Sequence, residues 1–433
     1  MNILSNKVKA ELDKVISIAI NYGDGSISES LFRDVLQSLK QNVDAVHQAE
    51  EYLLASNVSI IPDSVAVEET DNDATDVDVV SSKIKPYDPS KIDILPKNLA
   101  LTNLLSRIEN EEIDLMPDFQ RKSGLWTPTQ KSQLIESLIL RIPLPAFYFD
   151  GSDNDNWIVI DGLQRLTTLK EFFVDKTLHL SGMEFLRDLE GADYNSMPKV
   201  YLRRMAETQV ICYIISPGAP VNLKYNIFKR INTGGLELEP QEIRHALFQG
   251  FATKYLKQLA ETKIFLEATG YSVPTDRMLD REFVLRFIAF YEFDLESYNG
   301  SIDDYLNRAM ECINIKYAKD PQYAEQIQDR FIKALDTCYA IFGKFAFRRM
   351  PDQERRRSIS KALFETWTSL VAKLPADQMV LLKENKHQLI KKYMSMFIDD
   401  EEFYKSIGSG KVAAVKKRFE KISNLIEKVL END

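Results

Sequence analysis

The chain has 433 residues, 44% of them apolar, with 65 acidic and 55 basic side chains and a formal net charge of −10. These fractions suit a globular protein of two or three domains, and the charge excludes wholesale wrapping of nucleic acid by a basic surface. No apolar run approaches the roughly 20 residues that span a bilayer, and MNILSNKVKAELDK lacks the order of a secretory signal. Three scattered cysteines, Cys212, Cys312 and Cys338, make neither a disulfide framework nor a thiolate zinc site. The expectation is a cytoplasmic protein with no membrane partner.

Residues 1–60 read as a small helical module. Val8, Leu12, Val15, Ile16 and Ala19 recur at helical spacing, YGDGSIS interrupts them, and Ser28 suits the N-cap of SESLFRDVLQSLKQ. A third helix runs through VDAVHQAEEYLLAS, and NVSII then leads into residues 61–86, an acidic linker. Asp63, Glu68, Glu69, Asp71, Asp73, Asp76 and Asp78 occur there before the first lysine, with few large apolar side chains, so disorder is expected.

Over residues 87–250 helices alternate with short strands. Thr127-Pro128 opens the helix QKSQLIESLIL, because proline at the first helical position loses no hydrogen bond. Strands follow at AFYFD and WIVID, then the helix LTTLKEFF, a strand at ETQVICYIIS and a helix at VNLKYNIFKRIN. Thr233-Gly234-Gly235 turns the chain, and Glu239-Pro240 starts another helix. Residues 251–433 show almost no strand signal and are expected to be all-helical, with Phe283, Phe287, Phe290, Tyr291 and Phe293 as core packing. The fold class is thus an α+β domain followed by an all-α domain, preceded by the helical module.

The segment WIVIDGLQRLTTLKEFF carries the chemistry. A strand ends in Asp161, Gly162 frees the backbone for close approach, and a helix beginning there offers unpaired N–H groups. Arg165 adds a planar fork that matches phosphate oxygens, and Asp161 next to a phosphate calls for a divalent cation between them. A plain strand-to-helix turn with Arg165 solvated explains the same tetrad taken alone. Two more segments pair an amide with arginine beside a loop: Gln120 and Arg121 in DFQRKSGLW, and Arg230 and Asn232 in FKRINTGG, followed by Glu242 and Arg244. The three together suggest one polyanion pocket.

FQR…LW…LIESLILRIPLPAFYF…VIDGLQRLTTL and FKRINTGGLELEPQEIR resemble the N-terminal domain of GmrSD-type restriction enzymes, which also occurs in SspE-type phage-defence proteins. The resemblance covers about residues 95–250. It implies a ParB- and sulfiredoxin-like core, with the family's Asp-Gly-Gln-Gln-Arg motif falling on Asp161, Gly162, Gln164 and Arg165. Leu163 stands where the family has glutamine, and Phe119 where it has tyrosine. By this likeness Asp161, Gln164, Arg165 and Arg121 are catalytic, with Asp161 on Mg2+ or Mn2+. Gly162, Gln120, Arg230, Asn232 and Arg244 then bind a nucleoside triphosphate, GTP or ATP. Many members also carry an HNH nuclease, but His47, His179, His245 and His387 are too scattered for its metal site. The order of elements over residues 1–60, closed by acids, is similar to the N-terminal acidic region of primary sigma factors.

Two functions follow as expectations. One is an NTP- and metal-dependent anti-phage protein, NTPase or nuclease, acting on foreign DNA. The other is a non-catalytic nucleotide- or DNA-sensing subunit that recruits a separate effector through residues 1–60. Either admits a homo-oligomer. Outside these motifs Arg348, Arg349, Arg355, Arg356, Arg357 and Lys361 form a basic cluster, suited to phosphates or to the acidic linker as an intramolecular partner.

Overall fold

The computed structural model describes residues 6–22, 25–29, 31–33, 43–62, 67–68, 94–115, 126–153, 155–216, 220–231, 238–275 and 277–431. Gln120, Arg121, Asn232 and most of the acidic stretch lie outside the described residues. The chain divides into two compact units, Met1–Ser82 with Phe248–Asp433, and Lys83–Leu247.

At the start of the first unit, helices α1 (Asn6–Tyr22) and α2 (Val43–Ala55) bury Leu12, Val15 and Ala19 with Ala49 and Leu53. Ser26–Ser28 and Ser59–Ile61, expected as a break and a tail, instead form a parallel pair of strands, β1 and β2. Ile27 and Val58 of these segments join the same small core, which accounts for their order. Ser28 still accepts a bond from the Leu31 N–H at 3.3 Å, as a cap would. Within the stretch read as a linker, Val67–Glu68 is a two-residue strand, β3.

The second unit is a five-stranded mixed sheet with helices on both faces. Its elements in chain order are β4 (Ile94–Ala100), α3 (Leu101–Glu109), β5 (Ile113–Asp114), α4 (Pro128–Ile139), β6 (Phe147–Asp150) and β7 (Trp157–Asp161). Then come α5 (Leu163–Leu169), α6 (Lys199–Ala206), β8 (Gln209–Ile215), α7 (Val221–Ile231) and α8 (Pro240–Leu247). The strand order is β4-β8-β6-β7-β5, with β6 parallel to β8, β5 parallel to β7, and the β4–β8 and β6–β7 pairs antiparallel.

Alternation builds the main core on one face. Phe147, Phe149, Trp157, Val159, Val210, Cys212 and Ile214 point toward Leu104 and Ile108 of α3, Leu134, Ile135 and Leu138 of α4, and Leu166 and Leu169 of α5. Thr127 caps α4 as its sequence suggests: its hydroxyl accepts from the Gln130 N–H, and the Gln130 side chain accepts from the Thr127 N–H. Strand β4 was not legible, because Pro96, Lys97 and Asn98 look like a loop. It lies at the sheet edge, where proline costs no ladder bond, and Leu95 to Asn98 are exposed.

The remainder of the first unit is helical but for a two-residue strand, β9 (Ile359–Ser360), parallel to β3. Its central helices are α11 (Leu279–Glu292), which follows α9 (Phe251–Ala260) and α10 (Lys263–Thr269), then α12 (Ile302–Cys312), α13 (Pro321–Phe342) and α14 (Lys361–Lys373). Phe283, Phe287, Phe331 and Phe364 interlock there with ring centroids 4.7–6.4 Å apart. Buried among these rings, Arg286 pairs with Glu282 (2.9 Å) and Glu365 (2.8 Å), and Arg418 takes the other Glu365 oxygen at 2.6 Å. Among the described residues no helix is long and apolar enough to cross a membrane.

Candidate functional site

Strand β7 ends at Asp161 with a bulge. Phe149 pairs with Val159, but Tyr148 pairs with Asp161, so Ile160 is an extra residue in the ladder. Without it Asp161 would follow Trp157 and Val159 onto the core face. The extra residue turns its carboxylate to the face that carries Tyr148. Tyr148 in turn stacks on Tyr213 of β8, centroids 4.9 Å apart. Burial, with Tyr213 and Asp161 adding to it, pushes the Tyr148 phenol above its usual range, so it stands as a hydrogen-bond donor. Sequence reasoning missed Tyr148, since only the bulge brings it beside the motif.

Gly162 follows with φ of 101°, a conformation a side chain would strain. A Cβ there would also lie 2.6 Å from the Phe147 ring. Arg165, one turn later, is buried. Its guanidinium donates to the Pro145 carbonyl, to the Ala146 carbonyl at 3.2 Å and to Asp161 Oδ2 at 2.9 Å, and its Cζ stacks 4.6 Å from the Phe147 ring centroid. Burial lowers its pKa while Asp161 opposes the shift. Arg165 is therefore a clamp on the strand end, and the Asp161 carboxylate, about a third exposed, is the group presented outward.

Gln164 ties a second segment to this turn, accepting from the Trp126 N–H at 3.3 Å. The chain leaves β5 in the direction of the β7 carboxyl end and is described again at Trp126. Leu163, in contrast, packs against the apolar core.

The third segment comes by way of α7. At the other end of β6, buried Asp150 accepts from Lys224 Nζ at 2.8 and 3.1 Å, and the Ser152 hydroxyl bonds both. Asp150 alternates with Phe149, so α7 covers the face opposite the main core, the face of Tyr148. From Lys224 to Arg230 the helix rises about 9 Å, while Asp150 and Asp161 are separated by about 7–10 Å of strand. Helix α7 also packs on β7. Arg230, in its last turn, is exposed.

Arg244 is placed differently. It is buried, 5.4 Å from the Tyr225 ring centroid, with Nη1 donating to Gln241 at 3.4 Å. Glu242 is buried too, accepting from the Glu239 N–H at 2.7 Å as a helix-start brace. His245 is buried beside them. The structure therefore gathers Asp161, Gly162, Gln164, Arg165 and Tyr148, and leaves Arg244 in the interior.

As for a cation, among the described residues no cluster of three or more His, Cys, Asp or Glu side chains is arranged to hold one. What Asp161 fits is the mode in which one carboxylate shares a hard cation with ligand phosphates and water.

These features define an α+β domain whose sheet end presents an acid-glycine turn clamped by a buried arginine. Residues 101–249 match the family described as GmrSD restriction endonuclease, N-terminal domain. No curated protein and no solved structure matches the chain.

Proposed function

We propose that the chain is a restriction-type defence protein acting on foreign DNA, with a nucleoside triphosphate and Mg2+ or Mn2+ used at the Asp161 end of the sheet. The observation that carries the reading is the Asp161–Arg165 clamp on a bulged strand end, within a segment matching a restriction-enzyme domain. In this reading the core is of the ParB and sulfiredoxin kind. Asp161 would hold the cation, which supplies charge neutralisation at the phosphates, and Arg165 keeps the carboxylate aimed. Gln120, Arg121, Arg230 and Asn232 supply the phosphate contacts. Gly162 lets the phosphate chain approach the backbone, Gln164 fixes the Trp126 end of the loop, and Tyr148 donates a hydrogen bond beside Asp161.

The test is an NTPase and plasmid-cleavage assay of wild type and Asp161→Asn with each of the four NTPs. Mg2+- or Mn2+-dependent turnover in the wild type, lost in the variant at unchanged circular dichroism, supports the reading. One observation favours the second reading, a sensor that recruits an effector through residues 1–60: Leu163 spends a motif position on core packing. Nucleotide binding without turnover of NTP or DNA would select it.

A further inference from the structure

We propose that Pro96, Asn98 and Tyr213 form the subsite for the base of a nucleoside triphosphate that lies across the sheet from Asp161. This subsite rests on the reading above, in which the phosphates lie at the Asp161 end. Sheet register supplies the geometry. Tyr148 pairs with Asp161 on one side and with Tyr213 on the other, and Tyr213 pairs with Pro96. Directly paired residues of neighbouring strands share a face, so Pro96, Tyr213, Tyr148 and Asp161 make one row across four strands. Three strand spacings give that row a length of about 14 Å, close to the reach of an extended nucleoside triphosphate.

The sheet is open beside this row. Strand β8 is an inner strand, and its core-side residues Val210, Cys212 and Ile214 are buried, yet on its other side Gln209 is exposed and Ile211 is 45% exposed. Pro96 and Asn98 are exposed as well. The Tyr148 and Tyr213 rings stack with 16° between their planes, so they stand side by side above the strands. Pro96 is the shorter neighbour, which leaves the outer ring face of Tyr213 clear above it. A base stacks there as a further layer, the use that aromatic side chains on a sheet offer to nucleobases. Asn98, opposite Ile211 on the same face, brings an amide that both donates and accepts at the base edge. Neither phenol hydroxyl bonds a protein group among the described residues, and both lie between the base and Asp161, where ribose and phosphate oxygens pass. The row and the Asn98–Ile211 pair beside it hold no lysine or arginine, and Lys97 lies over the Trp157 ring on the core face. A DNA strand crossing here would find no cation for its successive phosphates, so the face suits one nucleotide.

The experiment is calorimetric titration of the full-length protein with each of the four NTPs and with inorganic triphosphate, in the presence of Mg2+ or Mn2+. Tyr213→Leu keeps an apolar side chain in the ladder and removes the flat ring. It should lower NTP affinity about tenfold, the worth of one base stack, and leave inorganic triphosphate unchanged. Tyr213→Phe should restore most of that loss. Asn98→Ala, at an exposed edge position that keeps the fold, should narrow the differences among the four NTPs. If Tyr213→Leu weakens NTP no more than inorganic triphosphate, or if Asn98→Ala keeps the wild-type preference, the base subsite is overturned and the phosphate site at Asp161 stands. A wild type that binds neither ligand overturns both together. A single-stranded oligonucleotide bound more tightly than any NTP, and weakened by Tyr213→Leu, also overturns the proposal and makes DNA the occupant of this face.

Discussion

Asp161 and Arg165 meet at 2.9 Å across one helical turn, and the same guanidinium closes on the carbonyls of Pro145 and Ala146 in the neighbouring segment. One arginine thus joins the end of β7 to the entry of β6. The carboxylate at the sheet end is aimed by a buried group that is itself fixed by backbone. Such support is what a functional carboxylate needs to stay within a fraction of an ångström of its working position.

Arg165→Ala should therefore destabilise the protein as well as disturb the site. Removing it leaves two carbonyls and a carboxylate without this donor, at a cost of about 2–4 kcal/mol. Arg165→Lys should rescue little, because an ammonium cannot span three acceptors in the geometry of the planar fork. Gly162→Ala should lose a comparable amount through its positive φ and the Phe147 contact. Urea unfolding of the three variants checks this. Wild-type stability in Arg165→Ala would mean that the clamp is not formed.

Tyr148→Phe separates function from folding. The phenyl ring retains the stack on Tyr213, and the hydroxyl alone is removed. If Tyr148 donates to a ligand held by Asp161, nucleotide affinity should fall by about 2- to 12-fold, the worth of one hydrogen bond, while the unfolding midpoint stays put. Calorimetric titration beside a denaturant melt reads both. Unchanged affinity would place the ligand away from this strand.

Local signals made the motif turn and the cap of α4 legible. Asp161, Gly162 and Arg165 announce themselves by type and spacing, and Thr127-Pro128 with Gln130 writes out its own capping box. The bulge at Ile160 was not legible, since nothing in WIVID distinguishes a regular strand from one with an extra residue. Arg165 read as a free fork because sequence does not show that the Pro145 and Ala146 carbonyls lie within reach. The burial of Arg244 was not legible for a similar reason: a polar helix sequence does not reveal that Gln241 to Ala246 are all buried. Edge strand β4 hid behind Pro96, and β1 and β2 depend on partners some thirty residues apart.

The buried ion network of the helical core should be intolerant of its central acid. Glu365 lies between Arg286 and Arg418, and burial lowers the Arg418 pKa against the opposing pull of Glu365. Glu365→Ala leaves excess positive charge out of water, which costs about 3–5 kcal/mol. Glu365→Gln keeps the shape but not the charge and should lose nearly as much. Thermal unfolding of both checks the claim, and a shift of under a degree would show that water reaches the network.

Asp280 gives a pH dependence of opposite sign to that of ordinary paired carboxylates. It is only 7% exposed, and its Oδ1 has no hydrogen-bond partner among the described residues. Burial pushes its carboxyl up to about 6, Arg281 opposing and Glu261 adding to the shift. In the unfolded chain it titrates near about 3.9. Between those values the folded protein holds a proton that the unfolded chain has released, so stability falls as pH rises through this window. The ionised form is penalised in full above about pH 6, by an amount on the order of 2–3 kcal/mol. Asp280→Asn should therefore be more stable than wild type at pH 8, and the advantage should shrink toward pH 4. Surface carboxylates with lowered pKa values, such as Asp193 and Asp352, contribute in the other direction, and their share cancels in the difference between the two proteins. Urea melts of wild type and Asp280→Asn from pH 4 to 8 read that difference. Parallel curves would mean that Asp280 is ionised in the fold without penalty, its charge held by the neighbouring arginine.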